Sequence, residues 1–156
     1  MKPRTTAAAG FLCAILVVGA MGLFVGPTGK AQIAHTCSPM DRQFIDVAQL
    51  NLVAVSSSAD DFLHGSAKAG SVIDTAETSR ANVMATHPED PSLSQTRGIL
   101  SAMFTEYARA IKADQHHQDP GKHIFQAYSL ANYAHDILSR AQAPLARRGC
   151  DISPLL

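Results

Sequence analysis

Residues 37–41, Cys-Ser-Pro-Met-Asp, set two things at once: the start of a first helix and one end of a covalent bridge. Ser38 offers an N-cap hydroxyl, Pro39 suits the first helical position, and Asp41 puts an acid at the third. Phe44, Ala48, Leu52, Val55, Ala59 and Phe62 then recur at helical spacing up to a stop at Gly65. Ser56-Ser57-Ser58 weakens the middle of this run, because serine hydroxyls compete for backbone groups.

What Cys37 pairs with depends on what precedes it. Lys2 and Arg4 form a basic start, Phe11 to Val25 an apolar run, and Gly29-Lys30-Ala31 a small-x-small cleavage site. Residues 1–31 therefore read as a signal peptide and residues 32–156 as the mature domain, with a second cut offered after Ala34. The competing reading is an uncleaved anchor: no residue from Ala7 to Gly29 is charged, and about 20 such residues span a bilayer. Neither Cys13 nor Cys37 follows a lipobox-like Leu-Ala-Gly run, so lipidation is not expected. Export removes Cys13 and leaves Cys37 and Cys150 as an even pair in an oxidising compartment, where pairing is the default. The alternative is two free thiols.

Between the cysteines the chain reads as helices. Alanine is abundant, and the alternation of β-branched residues that marks strands is sparse. A second helix is expected from about Ala67 to Thr86, on a thin stripe of Val72, Ile73, Ala76, Val83 and Met84, and His87-Pro88-Glu89-Asp90-Pro91 ends it. A third runs from near Ser92 to about His117 on Ile99, Leu100, Met103, Phe104, Tyr107, Ala108 and Ile111, with Gly98 either admitting a close neighbour or merely tolerated. A fourth starts at Asp119-Pro120, buries Ile124, Tyr128, Ala131, His135 and Leu138 with Ala127, Ala134 and Ala141 flanking, and stops at Pro144. The fold class is thus all-α: an antiparallel up-down four-helix bundle closed by one disulfide and preceded by an export segment. The bridge checks the helix count. An even number of antiparallel helices brings both chain ends together, whereas three would leave them about 30 Å apart, too far for the roughly 7 Å that a disulfide allows.

Charge and motifs exclude more than they assign. Of the 13 basic residues, Lys2, Arg4 and Lys30 lie before residue 32, and none of the 13 acidic residues does, so the mature part carries a net charge of −3. It has no Lys/Arg cluster beyond Arg147-Arg148, which argues against nucleic-acid binding. There is no phosphate loop, no Gly-x-Ser-x-Gly and no cysteine free to act if both are bridged, so catalysis is not expected. Asp60-Asp61 and Glu89-Asp90 look like solvated turn acids, and Phe104, Tyr107, Phe125, Tyr128 and Tyr133 like core or snorkelling aromatics.

Seven histidines are many for this length. Alternating helices put His64, His116, His117 and His123 at the end away from the disulfide, with Asp60, Asp61, Asp114 and Asp119. Imidazole and carboxylate are ordinary donors to zinc and other divalent metals, so a weak, open site completed by Asp119 or Asp61 is one reading. Solvated helix ends are the other, since the dipole favours histidine at a helix C-terminus. His135, on the expected core face, reads either as a haem or metal ligand or as a histidine hydrogen-bonded within the core.

The layout resembles small secreted haemophore-like proteins of actinobacteria. The likeness is carried by Cys37 after the export segment, by His87-Pro88-Glu89, and by Arg148-Gly149-Cys150-Asp151-Ile152-Ser153. The helices between these points do not align with that family, and the third is long. The resemblance implies an all-helical exported domain with a start-to-end disulfide and a role in handling haem; it assigns no ligand to a named residue. Taken together, the sequence is read as an exported or extracytoplasmic cell-envelope protein that acts by binding an envelope protein or a small ligand. It would touch the membrane only through an uncleaved N-terminal segment. A haem or metal carrier is the alternative.

Overall fold

The structure, a computed structural model, describes residues 36–156; the export segment read from residues 1–31 lies outside them. The described chain forms four helices, α1 (Pro39–Leu63), α2 (Ala69–Met84), α3 (Pro91–Gln115) and α4 (Gly121–Arg147), and a 3-10 turn at Ser153–Leu155. Among the described residues there is no strand, and no helix is long and apolar enough to cross a membrane.

Helix ends follow local chemistry. The Ser38 hydroxyl accepts from the Asp41 amide at 3.1 Å and starts α1 where expected. Asp90 does the same for α3, its Oδ1 accepting from the amides of Ser92 and Leu93 at 2.8 and 3.2 Å. Asp119 accepts from the Gly121 amide at 2.9 Å just before α4. Three helices end alike. Past α1, α3 and α4 one residue turns left-handed: Gly65, His117 and Gly149, with φ of 72°, 57° and 76°. In each case the next amide bonds back five residues, from Ser66 to Asp61, Gln118 to Ala113 and Cys150 to Leu145. These are Schellman closures, and they satisfy carbonyls that would otherwise lack donors.

Pro144 does not stop α4. It lies inside the helix, which continues to Arg147. Proline removes one donor, that for the Arg140 carbonyl. Pro144 is exposed, so water can serve that carbonyl, and the following turn is held by fully buried Leu145 and by the closure at Gly149.

Each helix packs mainly on its neighbours in sequence: α1 on α2, α2 on α3 and α3 on α4, with a lesser contact of α1 on α3. Phe44, Phe104, Leu93, Leu145, Val72 and Val83 form the fully buried centre. The buried face of α4 departs from the sequence reading. Ala127, Ala134 and Ala141, seven residues apart, form the buried seam with Ile137, Leu138 and Leu145. Ile124 and Ala131 are only half-buried, and Tyr128 and His135 are exposed. Small alanines let α4 sit close to α3, and that turns the bulkier flank outward. Gly98 needs no close neighbour; a Cβ placed there meets nothing within 4 Å.

The two chain ends are tied by Cys37–Cys150, with Cα atoms 4.8 Å apart and a sequence separation of 113. The 3-10 turn touches both α1 and α4.

Candidate functional site

Two polar clusters stand out. The first lies at the disulfide end and consists of residues that sequence reading took for a cap and a solvated turn. Asp41 is buried on the first turn of α1, and one of its oxygens accepts from the amides of Glu89 and Asp90 at 2.8 and 2.9 Å. Asp90 is buried too, contrary to expectation; only Glu89 of that pair is exposed. Asp90 caps α3 with one oxygen and pairs with the Arg148 guanidinium through the other. Burial pushes the Asp90 carboxyl up, but Arg148 and the Leu93 and Ser92 amides outweigh this and hold it below its ordinary value. The cluster joins the start of α1, the α2–α3 loop and the end of α4 beside the disulfide. Every acceptor oxygen named here is already engaged, which suits a fastening better than a ligand site.

The second cluster joins α3 to α4. Glu106 has a side chain only 13% exposed and takes His123 Nδ1 at 2.6 Å and an Arg109 guanidinium nitrogen at 2.6 Å. Burial raises the Glu106 pKa, and the bonds from His123 and Arg109 more than reverse it, so the group is an ionised acceptor. An ionised carboxylate can only accept, which puts the His123 proton on Nδ1. In the neutral imidazole Nε2 then keeps its lone pair, the state of a general base or of a metal ligand oriented from behind.

The other candidate histidines are separate. His64 caps α1, is exposed, and its Nδ1 lies 2.8 Å from the Asp60 carbonyl. His116 caps α3 and His117 takes its left-handed closing position; both are exposed. His135 is exposed on α4, not in the core, because the alanine seam turns that flank outward. Asp119 is engaged with the Gly121 amide, and an Asp61 oxygen lies 3.3 Å from the Ser66 hydroxyl. Among the described residues no group of three or more His, Cys, Asp and Glu side chains is placed to hold a metal ion. His123 is the candidate whose ring is held by a carboxylate from another helix, and Glu106 is the residue that sequence reading missed. No spacing signals it, since the two sit on different helices. Asp90 was findable: Asp90-Pro91 repeats the cap-and-proline pattern read at Asp119-Pro120.

No protein family matches this chain, and no curated protein or solved structure does.

Proposed function

We propose that this is an exported, disulfide-closed helical domain of the cell envelope that acts by binding. The Cys37–Cys150 bridge is the observation that carries the reading, because such bridges persist in oxidising compartments. We infer that the helices run alternately up and down. The cross-helix bonds support this: Asp41 meets Glu89 and Asn51 meets Asn82, Arg97 meets Thr86 and Lys112 meets Glu77, Gln95 meets Tyr133 and Glu106 meets His123. In each pair of helices, residues advance on one as they retreat on the other. The partner is an envelope protein or a small ligand, and the N-terminal segment is the route out of the cell. Fractionating a producing culture and alkylating before and after reduction tests this. The expected product is extracytoplasmic, starts near Gln32 and has both cysteines blocked. A cytosolic chain in which Cys37 and Cys150 both react would refute it.

A second reading, a metal or haem carrier of the haemophore-like kind, is supported by the His123–Glu106 pair. His123 would be the ligand and Glu106 would orient it. A bound haem or metal would supply an electrophilic centre for that nitrogen. Titrating the protein with hemin or zinc, and repeating with His123→Ala and Glu106→Gln, separates the readings. Binding lost with His123→Ala and weakened with Glu106→Gln supports the carrier; binding unaffected by both removes it.

A further inference from the structure

We draw no further inference here: the strongest candidate, the side-chain cluster of half-buried Arg97 on α3 and exposed His87 in the α2–α3 loop, where the Arg97 Nε is buried and meets no acceptor among the described residues, already serves the fold by donating to the Thr86 carbonyl past the end of α2, and nothing in the structure shows what ligand would meet its remaining donors.

Discussion

Replacing Asp41 with alanine takes the acceptor from two backbone amides at once, those of Glu89 and Asp90, 2.8 and 2.9 Å away. A buried donor left without an acceptor costs about 1–3 kcal/mol. Asp90 is buried, so its amide takes a penalty near the middle of that range, about 2 kcal/mol. Glu89 is exposed, and water recovers part of its bond, leaving about 1 kcal/mol. The sum, about 3 kcal/mol, lowers the melting temperature by roughly 10–15 °C for a domain of this size. Asparagine at the same position is the informative control. A single oxygen of Asp41 serves both amides, so the one carbonyl oxygen of asparagine can take its place. Asp41→Asn loses only the charge assistance, about 1 kcal/mol. Urea unfolding followed by far-ultraviolet circular dichroism measures both. Equal losses for the two variants, or an alanine loss under about 0.5 kcal/mol, would refute the two-amide account.

Gly98→Ala should stabilise by about 0.5–1 kcal/mol, because Gly98 lies inside α3 and a Cβ there meets nothing; the urea midpoint reads it. His117→Gly should also raise that midpoint, by about 0.5–1 kcal/mol, since His117 holds φ at 57° where glycine is unstrained, offset by glycine's greater unfolded freedom. Asp90 and Glu106 bind protons more weakly folded than unfolded, so their contribution is full above the ordinary values of 3.8 and 4.5 and is lost as pH falls through the lower folded values. Stability measured against pH should show this acid limb, and it should flatten in Asp90→Asn with Glu106→Gln. Reducing Cys37–Cys150 frees a loop with a sequence separation of 113, and loops of that size correspond to about 4–5 kcal/mol in the chain-entropy estimate. Unfolding curves with and without reductant should differ by up to that amount and by no less than about 2 kcal/mol.

Ser38-Pro39 at α1 and the punctuation at Gly65 were legible because caps and left-handed closures are local; their chemistry sits within a few residues. The thin α2 was legible from a sparse stripe, Val72, Ile73, Ala76, Val83 and Met84, and the cysteines supported it independently, since a bridge between the ends of an up-down bundle favours an even helix count. The α4 face was misread because Ile124, Tyr128, Ala131 and His135 recur at helical spacing and are bulkier than the alanines beside them. Alanine signals burial weakly in sequence, yet Ala127, Ala134 and Ala141 take the inner face because small residues permit close approach. The polar clusters were illegible for another reason. Asp41 meets residues 48 and 49 positions away, and Glu106 meets His123 across two helices, so neither pairing leaves a spacing to read.

The bridge also decides how the domain carries tension. A pull applied outside Cys37 and Cys150 runs through one covalent bond and bypasses all four helices, whose ends it joins 4.8 Å apart. The chain between the cysteines, a sequence separation of 113, would span on the order of 400 Å if drawn straight, yet none of that length is released while the sulfurs stay joined. Reduction puts the same helices in series with the load. Oxidised, the domain is a short, inextensible link; reduced, it becomes a long and compliant one.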